Sequence, residues 1–368
     1  MGERTNMDRA GVTSETFIRY GSLYSALGNN LNQAWEKLLL NESGIKTIDD
    51  KPEGCIVNVA KINRFNSLFH KILQEIKVKE AGIVNSNRTQ IIISSAKADI
   101  DQLPHNAFEQ MQKDIVKELG LEQVPIIISN ACISGILAIN LGADLIRYGN
   151  CDQALIIGID VLSDFVRNGF KSLFALSDQV CKPYDKERKG INLGEAAAYM
   201  VLSNKTDQQY YWAKYLGGSS SNDANHISGP SRTGEGLYRS IAKTLKRANI
   251  AISEIDYISA HGTATLYNDE MEGITFNRLN LDSVPTNSFK AYVGHTLGAA
   301  GLVETILALK TLEENMLIKS LGYQEHGLTK SLNIIQNNTP QVLNCLLKTG
   351  SGFGGGNASL ILQKISRH

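Results

Sequence analysis

The sequence of 368 residues carries no net charge, with 37 Lys+Arg set against 37 Asp+Glu. Without a summed basic field, recruitment to nucleic acid or to an anionic membrane surface loses its electrostatic drive. No apolar run approaches the roughly 18 residues of a membrane span. The polar opening 1–14 lacks the charged-then-apolar layout of a secretory signal, and Met1-Gly2-Glu3-Arg4-Thr5-Asn6 places Asn where a myristoylation start wants Ser or Thr. A cytoplasmic protein with no nucleic-acid or membrane partner is the expectation. Cysteine is sparse as well: Cys55, Cys132, Cys151, Cys181 and Cys345 are odd in number, widely spaced and without a C-x-x-C pair. That spacing argues against a disulfide framework and against a cysteine-built metal centre.

What is present is enough apolar material for a large core: 42% of the residues are hydrophobic. Short β-branched runs alternate with longer helical stretches, which predicts an α/β fold with helix-covered, largely parallel sheets. Strands are expected over 55–60, 90–95, 124–129, 153–160, 196–203, 256–260, 284–288, 342–348 and 358–363. Helices are expected over 32–40, 106–119, 133–148, 237–248, 268–279 and 299–313, where apolar residues recur near every 3.6 positions. The polar stretch 204–209 separates two α/β halves of comparable size, taken as 15–203 and 210–368, although the letters alone prove no duplication. The Gly/Ser/Asn-rich 217–236 and the aperiodic 165–188 read as long connections that frame sites.

Four segments carry candidate chemistry. Ser129-Asn130-Ala131-Cys132-Ile133-Ser134-Gly135 follows an apolar strand and opens a helix. A thiol there would feel the positive end of the macrodipole and nearby free N–H groups, which lowers its pKa and favours the nucleophilic thiolate. A buried, inert cysteine is the competing reading, and it suits the other four cysteines, none of which sits at such a junction. In Ala260-His261-Gly262-Thr263-Ala264-Thr265 a histidine meets a glycine turn beside two hydroxyls that can bond a polar substrate arm. Lys290 and His295 lie in Ser288-Phe289-Lys290-Ala291-Tyr292-Val293-Gly294-His295, followed by a helix with Glu304, to which Lys290 could pair and so orient the histidine region. Either histidine alone could be structural. Gly350-Ser351-Gly352-Phe353-Gly354-Gly355 matches G-x-G-x-x-G, but a strand rather than a helix follows, so the dinucleotide reading fails. An oxyanion-stabilising loop or a plain tight turn remains. A thiol, two imidazoles and a glycine loop together describe acyl transfer through a thioester.

At these residues the chain resembles the β-ketoacyl-acyl carrier protein synthases of the Cys-His-His type, in the thiolase-like superfamily. The matches are Ala131-Cys132 with Ser134-Gly135, Tyr184-Asp185-Lys186-Glu187-Arg188-Lys189-Gly190 before Gly194-Glu195, the His-Gly-Thr-Ala-Thr run, Lys290 with Gly294-His295, and Gly352-Phe353-Gly354-Gly355. The resemblance implies a five-layered α-β-α-β-α sandwich of two similar halves, assembled as a homodimer or as a heterodimer with a related subunit. It implies Cys132 as nucleophile, His261 and His295 as catalytic imidazoles, and Lys290 with Glu304 as their support. Thr263, Thr265, Gly352 and Gly354 would bind substrate, the N–H groups of Cys132 and Phe353 would form an oxyanion hole, and the Phe353 side chain would act as a gate.

The implied reaction is decarboxylative Claisen condensation of an acyl thioester with malonyl-acyl carrier protein to a 3-oxoacyl product, in fatty acid or polyene/polyketide-type biosynthesis. No metal or cofactor is implied beyond the carrier protein's phosphopantetheine. Three departures from the family pattern suggest a specialised branch: a short segment between Gln90 and Cys132, a polar Thr16-Phe17-Ile18-Arg19-Tyr20-Gly21, and Ile191 where phenylalanine is common. A non-condensing partner subunit resembling a chain-length factor is the alternative, and the presence of Cys132, His261 and His295 counts against it. A degradative thiolase would place a second cysteine just before the C-terminal glycine run, and none is there. An unrelated cysteine hydrolase gives no reason for two histidines.

Overall fold

The computed structural model describes residues 14–48, 51–55, 64–102, 106–205, 211–223 and 229–365. Its main sheet has ten strands, numbered here along the chain. The first five are β1 (Thr16–Ser25), β2 (Thr89–Ser94), β3 (Ile126–Ile128), β4 (Gln153–Asp160) and β5 (Ala196–Ser203). The second five are β6 (Ala213–Asn222), β7 (Tyr257–Ser259), β8 (Thr286–Asn287), β9 (Cys345–Gly352) and β10 (Gly356–Lys364). In space the first five run 3-2-4-5-1, and the second five run 8-7-9-10-6. Strand for strand this is the same order. The parallel and antiparallel pairings repeat too: β3, β2 and β4 are mutually parallel, and β5 and β1 follow antiparallel. Likewise β8, β7 and β9 are parallel, with β10 and β6 antiparallel. The two leaves touch where β1 pairs with β6 over Thr16–Tyr215, Phe17–Lys214 and Ile18–Ala213.

Alternation of side chains along the strands builds the layers. Ile92, Ala154 and Ile156 face a core shared with α4 (Ser134–Arg147) and α8 (Ala300–Glu314), and Leu346, Leu360 and Leu362 reach that core from the second leaf. Ile91, Ile93, Leu155 and Ile157 point the other way, onto α2 (Arg64–Lys79) and α3 (Ala107–Leu119). Leu347 and Ile361 point outward onto α6 (Glu235–Ala248) and α7 (Leu266–Arg278). Helix, sheet, helix, sheet, helix is the five-layered sandwich expected. Strands buried on both faces explain the continuous apolar runs, as Gln153–Asp160 and Ala196–Ser203 show. The remaining labelled helices are α1 (Leu31–Leu39) and α5 (Asp164–Ser172).

The central helices cross at two glycines. A Cβ built on Gly135 would sit 2.4 Å from the Leu302 backbone N, and one on Gly301 would sit 2.5 Å from that of Ile136. The absence of side chains lets the backbones touch.

Several expectations need correction. Residues 217–222 belong to β6 rather than to a connection: Gly217 and Gly218 are there because Ala248 and Asn140 press against them. The expected loop 165–188 begins with α5, capped by the Ser163 side chain, which accepts from the Val166 N–H. Helix α2 was not expected, though Phe65, Leu68, Phe69, Ile72, Leu73 and Ile76 bury one helical face. The glycine run is mostly strand: Gly350 and Gly352 end β9, Gly356 opens β10, and only Phe353, Gly354 and Gly355 turn between them. Of the strand expected over 55–60, residues 56–60 lie outside the described residues. Cys55 instead closes the strand Lys51–Cys55, in a hairpin with Ile45–Ile48.

Candidate active site

Cys132 and His295 occupy corresponding places in the two halves. Each precedes a central helix, Cys132 before α4 and His295 before α8. Ala131 adopts φ +43°, a conformation that costs a non-glycine residue and turns the next side chain sharply. Ser134 Oγ fastens the turn, donating to Ala131 O at 2.7 Å and accepting from Asn130 N at 2.8 Å. His295 is gripped through its backbone: its N–H donates to Asn192 O at 2.7 Å, and its carbonyl accepts from Gly194 N at 2.9 Å. Gly194 and Gly294 permit that contact. A Cβ on Gly194 would stand 2.1 Å from Val293 O, and one on Gly294, at φ +68°, would stand 2.6 Å from Leu193 O.

The sulfur of Cys132 lies 2.8 Å from His295 Nε2. The rings of His261 and His295 are 5.5 Å apart, edge to face, and ligating atoms of all three residues lie within 4.8 Å of one another. All three are buried. They line a cavity of about 460 Å³ together with Phe170, Phe174, Ile191, Thr263, Thr265, Gly352 and Phe353. Thr263 Oγ1 and Thr265 Oγ1 are 2.8 Å apart on its wall. Phe353, 37% exposed, meets Phe170 in a tilted ring pair at 5.3 Å, and Phe170 meets His295 edge to face at 6.4 Å. Gly354, at φ +84°, forms the hairpin tip and does not line the cavity; its part is the turn. The Phe353 N–H points at the Cys132 sulfur, and Gly352 packs on the Cys132 backbone N.

Beneath His261 lies a buried charge cluster. Lys290 Nζ donates to His261 Nδ1 at 3.2 Å, to His261 O at 2.7 Å and to Glu304 Oε1 at 2.5 Å. The pair expected between Lys290 and Glu304 is formed, and the histidine it orients is His261. Lys348, which the sequence reading missed, donates to Glu304 Oε2 at 2.7 Å and to Ser259 O at 3.2 Å. Glu304 is therefore shared by two lysines; burial opposes its charge, but the pair holds its carboxyl below the usual range. An ammonium has only donors, so His261 must accept at Nδ1 and carry its ring proton on Nε2, toward the cavity.

Asp269 and Glu272, also missed, hold the loop that carries His261. Glu272 accepts from His261 N at 2.8 Å and Gly262 N at 2.7 Å, and Asp269 accepts from Thr263 N at 2.9 Å and Ala264 N at 3.1 Å. Their spacing of three on α7, just after the threonines, was the available signal.

Electrostatically the cluster is neutral at its reacting end. Burial pushes the Cys132 thiol up to about 11, against the opposing pull of Lys290 and the Phe353 N–H. Burial, then Lys290, pull His295 down to about 3 and His261 well below its ordinary value. The depressed thiol pKa expected from a helix N-terminus is therefore overturned. Helix α4 starts only at Ser134, and the N–H groups of Ile133 and Ser134 already donate to Asn130 O and Ala131 O. Cys151, Cys181 and Cys345 are buried free thiols away from the cluster.

Two models of one family match in tandem and together take in more than half of the chain: "Beta-ketoacyl synthase, N-terminal domain" over 104–208 and "Beta-ketoacyl synthase, C-terminal domain" over 212–324. The chain belongs to the β-ketoacyl synthase family. The 3-oxoacyl-(acyl-carrier-protein) synthase 2 of Rhizobium meliloti is 34% identical over 65% of this chain, a match spanning 60% of that relative's length. The synthase 2 of Coxiella burnetii is 24% identical over 93% of this chain and 96% of its own. Among solved structures, one chain of the ketosynthase ApeO in complex with its chain length factor ApeC, from Xenorhabdus doucetiae, superposes with TM-score 0.84. It is 26% identical and covers 99% of this chain and 100% of its own.

Proposed function

We propose that this β-ketoacyl synthase catalyses decarboxylative condensation of an acyl thioester with malonyl-acyl carrier protein. The observation that carries the reading is a buried thiol 2.8 Å from one imidazole and beside a second, on a cavity whose wall also presents paired threonine hydroxyls.

In the first half, Cys132 Sγ attacks the thioester carbonyl. The thiol proton passes to the departing pantetheine sulfur, while His295, neutral throughout, donates its Nε2–H to the Cys132 sulfur as thiolate character develops there. The N–H of Phe353, freed from the sulfur, and that of Cys132 receive the oxyanion. In the second half, the malonyl C–C bond to its carboxylate breaks and carbon dioxide leaves. The electron pair becomes an enolate, whose oxygen accepts from the Nε2–H groups of His261 and His295. Its carbon attacks the acyl carbonyl, the C–S bond to Cys132 breaks, and the thiolate takes one proton from solvent. Donors fixed beforehand need no reorganisation, and losing one typically costs about a hundredfold to a thousandfold in rate.

The reaction as written uses no cofactor beyond the pantetheine arm that Thr263 and Thr265 would hold. Among the described residues no helix is long and apolar enough to cross a membrane, which suits a carrier-borne substrate. A dimer fits the exposed flank of β3, an edge strand whose Ile126–Ile128 are half-buried.

Intact-protein mass spectrometry tests the reading. After exposure to acyl-carrier proteins the wild type should gain the acyl mass and Cys132→Ala should not. Cys132→Gln should still release carbon dioxide from malonyl-carrier protein while forming no 3-oxoacyl product. A wild type unmodified by a broad panel of donors would move the reading to the non-condensing partner subunit.

A further inference from the structure

The three reacting side chains have the composition of a catalytic zinc site. One thiolate and two imidazoles, with a fourth side left open, is a donor set that zinc takes readily. Here the ligating atoms lie within 4.8 Å, and the open side is the cavity. Seating an ion at zinc's bond lengths would widen the present 2.8 Å contact between Sγ and Nε2 to roughly 3.5 Å, well within side-chain adjustment. Geometry alone does not protect this cluster from thiophilic metals.

The layer behind the ligands is built the opposite way from that of a metal site. A metal-bound histidine usually donates its far N–H to a carboxylate or a carbonyl. His261 instead receives a bond at Nδ1 from the Lys290 ammonium, and His295 Nδ1 has no hydrogen-bond partner among the described residues. To ligate through Nε2, His261 would have to move its ring proton to Nδ1, against an ammonium hydrogen. Lys290 is completely buried and held by Glu304 and His261 O, so it has no room to turn away. It also leaves its cluster one cation in excess, since Lys290 and Lys348 share the single carboxylate of Glu304.

We propose that Lys290, besides orienting His261, bars thiophilic divalent cations from the Cys132–His261–His295 cluster, which without it would be a metal site. The inference rests on the arrangement of these side chains and not on the reaction assigned above.

Cobalt(II) is the probe, read by its thiolate-to-metal charge-transfer band and by isothermal titration. The wild type should show no such band through about 100 μM cobalt, while Lys290→Met should bind tenfold to a hundredfold more tightly, the range a supporting-shell change commands. Adding Cys132→Ser to that variant should abolish the band. Lys290→Met leaves Glu304 paired with Lys348, a balanced buried pair, and Lys290→Gln removes the charge alone should the methionine variant unfold. A wild type that takes cobalt as tightly as the variants, or folded variants that take none, overturns the proposal. Neither readout depends on acyl transfer.

Discussion

At the scale of the residue, the proposed chemistry turns on Cys132 being a thiol rather than a thiolate at rest. A sulfur with its pKa pushed up to about 11 by burial can be acylated only if its proton leaves as attack proceeds, which gives the 2.8 Å contact with His295 Nε2 its purpose. The consequence is measurable by alkylation with iodoacetamide. Since only the thiolate reacts, the rate at Cys132 should climb about tenfold per pH unit through pH 9 with no plateau. A plateau between pH 7 and 8 would mean a thiolate–imidazolium pair and would contradict the neutral cluster described here. Cys132, His261, Lys290 and His295 stood out because short polar motifs interrupt the apolar pattern between strand and helix, and Glu304, inside α8, only as a possible partner for Lys290. Lys348 did not: it reads as the end of an apolar strand, and only the parallel register Lys348–Ser259 carries it to Glu304.

At the scale of the element, the placing of Cys132 against His295 follows from how closely α4 and α8 approach, because Cys132 leads into one and His295 into the other. Gly135 and Gly301 set that approach from opposite sides, each admitting the backbone of the other helix. Gly135→Ala and Gly301→Ala should each destabilise by about 1–3 kcal/mol, as overpacking does. Both force the same separation, so the double variant should cost less than the sum of the singles. Urea unfolding of the four proteins decides: strict additivity would show the two contacts to be independent. The letters place Gly135 in the motif that follows Cys132 and Gly301 near the start of a helical stretch, and only the crossing shows what each packs against. The same blindness hid β6, whose Gly217 and Gly218 suggest a loop until α6 and α4 are placed against them.

At the scale of the whole molecule, the two halves share a strand order that the letters do not display, because a repeated topology constrains hydrophobic periodicity and not residue identity. The candidate site lies between the corresponding strand-to-helix junctions, so the protein buries two imidazoles there, and that has a cost in acid. His295 titrates near 3 when folded and near 6.5 when unfolded. Between those values the unfolded chain binds more protons, so the sign is fixed: stability falls as pH falls from about 6.5 toward 3. Asp160, raised to about 6 by burial, contributes the opposite slope between its unfolded value and 6, since the folded state then holds the extra proton. The two partly cancel in the wild type, which is why a difference between proteins is the proper measurement. Between pH 6 and 4 the wild type should lose about 1.2 kcal/mol per pH unit more than His295→Asn, in which Asp160 and every other group still titrates. Equal slopes in denaturant titrations at pH 6, 5 and 4 would mean that His295 is not held neutral by the fold.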